Sequence, residues 1–434
     1  GLAEDLTAHP GDWMFGRGSA DMKSGVAANI AVMRHLARMA REGRLPLSVV
    51  MLATVDEENE SAGILQATYL LSRLRKQYRL QYLGAINTDY TTARYPGDTH
   101  RYIYTGTIGK LLPSFLMIGR EAHVGIPFDG IDANLLAAEL IRVLSMNDEL
   151  CDVVGRQRTP PPVTLHMSDL KAHYDVQLPF MAYFYLNVLT FSTDPGQLLT
   201  RLQRVAEELM DAALKRIDDA ERRWRQASDN SFQAESIQTR SGIVLTYAEL
   251  CAQVAQQFGQ ERLDAELEKA WESCPPHLDA RERALHMVRS VWKCSGRSGP
   301  AIVMYYSPPY YPHVAAIPCV LLDAVNATVE AHPELHLVVE EYYPYIADIS
   351  YLRLDSGIDG TALTANMPTW QAADKPLHSG GYSLPLETIQ DVGMPVVNLG
   401  PYGRGVHQSG EAVLTSYSFG RLPELICEVI ERLG

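Results

Sequence analysis

Between Ser24 and Tyr90 the chain switches repeatedly between two hydrophobic periods, and this restricts its fold more than any other feature. Over residues 24–42 the apolar side chains Val26, Ile30, Met33, Leu36, Ala37 and Met39 recur at helical spacing. The next run, "LPLSVVMLATVDEE", is β-rich and apolar throughout, as in a strand buried on both faces. A second helical pattern covers 61–76, and a second apolar strand, "QYLGAINTDY", runs into Asp89. Strands alternating with helices imply a mostly parallel sheet, and in such sheets ligands sit beyond the carboxyl ends of the strands. Asp56-Glu57-Glu58 and Asp89 fall at two such ends.

From about Tyr102 the texture changes. "RYIYTGTIGKLLPSFLMIG" reads as antiparallel strands, "DGIDANLLAAELIRVL" as a helix capped by Asp132, and "MAYFYLNVLTF" as a strand. Residues 195–217 are strongly amphipathic and open on an Asp-Pro start signal. Residues 218–298 are rich in charge and helical in pattern, with a polar break near 226–240 and a largely solvated surface. "GPAIVMYYSPPYYP" reads as a buried strand closed by a rigid turn, which makes His313 an ordinary turn residue. The tail returns to α/β texture with "GMPVVNLGPYG". The expected plan is an α/β catalytic domain interrupted by an inserted α+β domain.

Composition excludes several classes. The 434 residues carry 38 basic against 52 acidic side chains, a formal charge of -14, with no basic run, so nucleic acid is not an expected partner. No apolar stretch reaches the roughly 18–20 residues of a membrane span, and the opening residues lack the order of a signal peptide. Six cysteines lie far apart without C-x-x-C spacing, which points to packing thiols in a reducing compartment and a cytoplasmic location. No Gly-rich phosphate loop with Lys-Ser/Thr is present, which removes nucleotide chemistry of the P-loop kind.

Asp21, Glu57, Glu58, Asp89 and His407 remain as candidates for chemistry. Carboxylates and imidazole are the usual oxygen and nitrogen ligands of zinc, and a further carboxylate can serve as general base. Adjacent residues at a strand end point in different directions, so one of Glu57 and Glu58 can bind metal while the other faces water. Each residue also has a plain reading. "DEENES" can be a solvated acidic turn, His407 a loop histidine, and Asp21, between a glycine-hinged turn and a helix start, a simple cap.

Their combination carries a resemblance. "GRGSADMKSG", "TVDEENESAG", "GREAHVGIPFDGIDAN" and "VVNLGPYGRGVHQSGE" occur in the order and near the spacing of the M20 family of metallopeptidases and amidohydrolases. "YIYTGTIGKLLP", "PPYYPHV" and "NMP" make the chain look most like the RocB-like, arginine-utilisation branch of that family. The resemblance implies a zinc-peptidase-like catalytic domain over 1–102 and 342–434, with a dimerisation-type lid over 103–341 that includes a long insertion at about 218–334. It implies Asp21 as a carboxylate bridging two metals, Glu57 as general base, Glu58 and His407 as ligands of one metal, and Asp89 as ligand of the other. His123 matches a lid histidine that reaches a partner's site in a homodimer and steadies the developing oxyanion. Asn134, in the lid's helix-start motif, and Asp348, at the return from the lid, are expected to be structural. The implied cofactor is Zn2+, one or two per chain, with Co2+ or Mn2+ as substitutes. The implied substrate is a small amino-acid derivative or peptide.

Two departures shape the expectation. The family's first motif, an H-x-D some tens of residues before Asp21, is not in this sequence, and His9 in "GLAEDLTAHPGDWM" has no aspartate two positions on and reads as a surface residue. Asp21, Glu58 and His407 still supply the three protein ligands usual for catalytic zinc, whereas the second metal keeps Asp21 and Asp89. The sequence therefore leaves two readings open, a metallohydrolase of M20 type that cleaves amide or peptide bonds in small amino-acid derivatives, and a non-catalytic binding or assembly protein that keeps the fold and has lost the site. The strand "YLNVLTFSTDP" also lacks the arginine that holds a substrate carboxylate in many relatives, so a free α-carboxylate is not assumed.

Overall fold

The computed structural model describes residue 7 and residues 10–227, 240–355, 357–358, 360–372 and 378–434. His9 and most of the expected polar break lie outside the described residues. The chain divides into two compact units: one formed by 1–109, 311–355 and 385–434, the other by 110–310 and 356–384.

The first unit holds a mostly parallel sheet, as expected, which the second of the two strands read between 24 and 90 joins. Strand Leu337–Glu340 pairs in parallel with Arg101–Tyr104, and Val396–Asn398 pairs in parallel with Ala85–Asn87. One antiparallel contact, Asn398 against Tyr104, joins the two halves, so parallel pairing predominates. Helix Ser24–Arg41 buries Ala28, Val32, Leu36 and Met39 against Ile103, Val397, Leu399 and the apolar face of the terminal helix Leu422–Arg432. That face carries Leu422, Leu425, Ile426, Val429 and Ile430, an i, i+3, i+4 series that only a helix can present to one core. A second, antiparallel sheet joins Trp13–Phe15, Ala412–Leu414 and Gly403–Arg404.

One expected strand is absent. Residues 45–55 form no ladder among the described residues, although their side chains alternate. Leu45, Leu47 and Val49 pack on the core cluster, whereas Val50, Leu52 and Val55 are exposed. An apolar run satisfies β-propensity locally, but a strand exists only where a neighbour accepts its hydrogen bonds.

The second unit is built on a five-stranded sheet in the order Val163–Asp169, Met181–Thr190, Gly109–Ile118, Ala301–Tyr311, Ile243–Thr246. Asp132 caps helix Ala133–Leu144, its side chain accepting from the Asn134 amide, and the amphipathic helix extends over Pro195–Ala227. The charged segment after 218 contributes core as well as surface. Capping boxes at Thr246 and Asp279 start helices Tyr247–Phe258 and Ala280–Cys294, which bury Leu250, Val254, Val288 and Trp292. The prolines of "SPPYY" lie inside the buried strand Ala301–Tyr311 and not in a turn.

The domain limits drawn from texture differ from these units at both ends. Arg101–Tyr104 and Leu337–Glu340 pair with each other, and this ladder places them in the first unit together with 311–341. All six cysteines are free thiols, and no described helix is long and apolar enough to cross a membrane.

Candidate metal centre

Asp21 lies just ahead of helix Ser24–Arg41, with extended dihedrals (φ -113°, ψ 102°) that turn its side chain out of the helix line. Among the described residues, no side-chain hydrogen bond caps that helix. The preceding turn needs Gly18, whose φ of 73° lies in the left-handed region that a Cβ disfavours. The Asp21 carboxylate instead meets His407, with Oδ2 at 3.0 Å from Nε2.

His407 comes from the loop between Gly403–Arg404 and Ala412–Leu414, and holds the left-handed conformation at φ 62°. The same nitrogen stands 2.7 Å from Glu58 Oε1. One ligand atom from each of Asp21, Glu58 and His407 falls within 4.8 Å of the others. Among the described residues, this is the group of His, Cys, Asp and Glu side chains placed to hold a metal ion.

Glu57 and Glu58 diverge at the turn after residue 55. Glu58 is exposed and faces His407, whereas Glu57 is half-buried among the charges of Asp89 and Asp348. Burial, then the negative charge of Asp89, Asp348, Glu58 and Asp21, pushes the Glu57 carboxyl up to about 8. Burial and the charge of Asp21 push Asp89 up to about 7, against a hydrogen bond from the Tyr90 amide. Asp21 is raised as well, by burial and then by Glu58. Burial opposes protonation of His407, but the Glu58 and Asp21 carboxylates outweigh it and its pKa is raised.

Ionising these acids together is therefore disfavoured without a compensating positive charge, around a donor set of two carboxylates and one imidazole. That chemistry fits a divalent cation of the zinc class.

Side chains that were not singled out in the sequence hold this arrangement. Asn398, fully buried, accepts from the Asp89 amide at 3.1 Å and donates to the Asp89 carbonyl at 3.0 Å. Gly400 lets the two loops touch, since a Cβ there would lie 1.7 Å from the Asp89 carbonyl oxygen. The Tyr343 hydroxyl donates to the Tyr90 carbonyl at 2.9 Å, and Tyr90 stacks on Tyr345 at 5.2 Å. Thr54 donates to Asp348 at 2.7 Å. Glu411 is buried, and burial pushes its carboxyl up, but the amides of Asp21, Gly18 and Ala20 and the Arg17 charge hold it below the ordinary value. Both Asn398 and Glu411 lie inside the string "VVNLGPYGRGVHQSGE", where a buried polar residue beside an apolar strand was the available signal.

The other named residues belong to different surroundings. His123 is exposed in the second unit, its Nδ1 accepting from the Gly125 amide at 3.0 Å. Asn134 donates to Asp169 at 3.3 Å. His313 is buried in the first unit.

Residues 3–334 match the family described as Peptidase family M20/M25/M40. The chain is 32% identical over 432 residues to the uncharacterized protein YqjN of Bacillus subtilis (strain 168), a match covering 98% of this chain and 75% of that protein. It is also 32% identical over 439 residues to Protein RocB of the same organism, covering 96% and 73%. Among solved structures it resembles aminopeptidase PepT from Bacillus cereus ATCC 10987, at 13% identity and a TM-score of 0.48, over 98% of this chain and 74% of that one.

Proposed function

The chain belongs to peptidase family M20/M25/M40, and from that premise we propose that it is a metal-dependent hydrolase of amide or peptide bonds in small amino-acid derivatives. The observation that carries the proposal is the meeting of Asp21, Glu58 and His407 within 4.8 Å, with Glu57 beside them.

In this reading Asp21, Glu58 and His407 would hold a divalent ion of the zinc class, and Asp89 with Asp21 would supply ligands toward a second. A bound divalent cation polarises the scissile carbonyl and lowers the pKa of water from about 15.7 toward about 7. Glu57 is the general base, as the resemblance assigns it, because it lies beside the trio and is not among the carboxylates given to a metal. Its oxygen takes one proton from the attacking water as the new C–O bond forms. The C–N bond then breaks, and Glu57 delivers that proton to the leaving nitrogen, so the carboxyl ends as it began. Asn398 keeps Asp89 in place by holding its backbone on both sides.

The resemblance to the arginine-utilisation branch extends the proposal to arginine derivatives as substrates. It also assigns His123 to the oxyanion, offered by one copy of a homodimer to its partner. Sedimentation tests that pairing, and a monomer at assay concentration removes His123 from the mechanism.

The direct test is a panel of N-acyl amino acids, dipeptides and arginine amides, with released amine as the readout. Turnover is expected with added Zn2+, Co2+ or Mn2+, to vanish on chelation and to vanish in His407→Ala. A protein that binds no metal and releases no amine from any substrate would overturn the reading.

A further inference from the structure

We infer that Glu411 is a positioning residue, whose buried carboxylate holds the backbone amides of Ala20 and Asp21 and thereby sets where the Asp21 oxygens lie. The inference rests on the reading of Asp21, Glu58 and His407 as metal ligands, and assigns a role to a residue outside that set.

The geometry is that of a carboxylate wrapped by a turn. Glu411 Oε1 accepts from the Ala20 amide at 3.1 Å and from the Asp21 amide at 3.2 Å. Oε2 takes the Arg17 guanidinium. The Glu411 carbonyl accepts from the Gly16 amide at 3.0 Å, so the turn is held to this one residue through both its side chain and its backbone. The side chain has no exposed surface. A buried carboxylate is costly unless its lone pairs are filled, and here amides and a guanidinium fill them.

The placement makes the clamp specific to the site. Asp21 is held through its own amide, one peptide from the side chain that meets His407. Glu411 follows His407 by four residues in the same loop. A single loop thus offers the imidazole to the Asp21 side chain and the carboxylate to the Asp21 backbone, which fixes the two ligands relative to each other. Metal affinity depends on such outer partners, whose loss costs about 10–100-fold. Arg17 is more than half exposed on its side chain and balances charge without touching Asp21.

The test is zinc affinity, measured by competition with a chromophoric chelator on the full chain, alongside near-ultraviolet circular dichroism as a check of folding. Glu411→Gln places an NH2 group where an oxygen accepted, and Glu411→Asp withdraws the carboxylate by one methylene. Either variant, if folded, is expected to bind zinc roughly 10–100-fold more weakly. Arg17→Gln, which leaves the amides bonded, is expected to change affinity less than about 3-fold. In the unsubstituted protein, hydrogen exchange at the Ala20 and Asp21 amides should be slow with or without zinc, a result that needs no variant to fold. Fast exchange at those amides, or a folded Glu411 variant with unchanged affinity while His407→Ala loses zinc, overturns the clamp alone. A parent protein that binds no zinc overturns the clamp and the metal-centre reading together.

Discussion

Replacing Glu57 by Gln separates the electrostatic cost of the cluster from its chemical use. In the cation-free protein the Glu57 carboxyl is displaced from 4.5 to about 8 by burial and by its acidic neighbours. A carboxyl raised in this way binds more protons folded than unfolded, so native stability falls as pH rises from about 4.5 to about 8 and then levels off. Taken whole, the displacement is worth roughly 5 kcal/mol. Water reaches part of this half-buried site and screens the neighbouring charges, which lowers the expected effect to ~2–3 kcal/mol. Glutamine keeps the shape and does not titrate. Urea unfolding of chelator-treated protein at pH 5 and pH 8.5 should therefore show Glu57→Gln gaining ~2–3 kcal/mol on the parent between the two values. With zinc added, the same variant should keep its metal content and lose turnover by roughly 100-fold or more, the usual contribution of a general base. Parallel pH profiles together with retained turnover would refute both the electrostatics and the assigned role.

Two substitutions test the frame that holds Asp89. Asn398→Ala removes both hydrogen bonds to the Asp89 backbone and leaves an amide and a carbonyl unsatisfied, which should cost roughly 2–4 kcal/mol in urea unfolding; a change below ~0.5 kcal/mol contradicts the clamp. Gly400→Ala drives a Cβ into the Asp89 carbonyl oxygen and should destabilise by about 3 kcal/mol or more, seen as a lowered thermal midpoint. An unshifted midpoint would mean that the two loops do not touch.

Much of this centre was legible before any coordinates. Residue chemistry made Asp21, Glu57, Glu58, Asp89 and His407 candidates, and the resemblance to the M20 family singled out Asp21, Glu58 and His407 as ligands of one metal. The divergence of Glu57 from Glu58 was expected of a strand end, whereas the two residues lie in a turn that follows no strand among the described residues. Other features escaped because they depend on who stands opposite. The run 45–55 has strand composition and lacks a ladder among the described residues, and nothing local to it reveals that. The prolines of "SPPYY" signal a turn locally, yet they complete a fully buried strand. Asn398 and Glu411 are unremarkable in composition, and their roles appear only when the Asp89 and Asp21 backbones come within hydrogen-bonding distance.

Periodicity and residue chemistry are local properties, so the sequence alone determined most helices, several strands and the fold class. Whether Asp21 caps its helix or faces His407 is a question about residues 386 positions apart. Only tertiary packing decided it, because a hydrogen bond or a shared ion depends on distances of a few ångströms that no local pattern encodes.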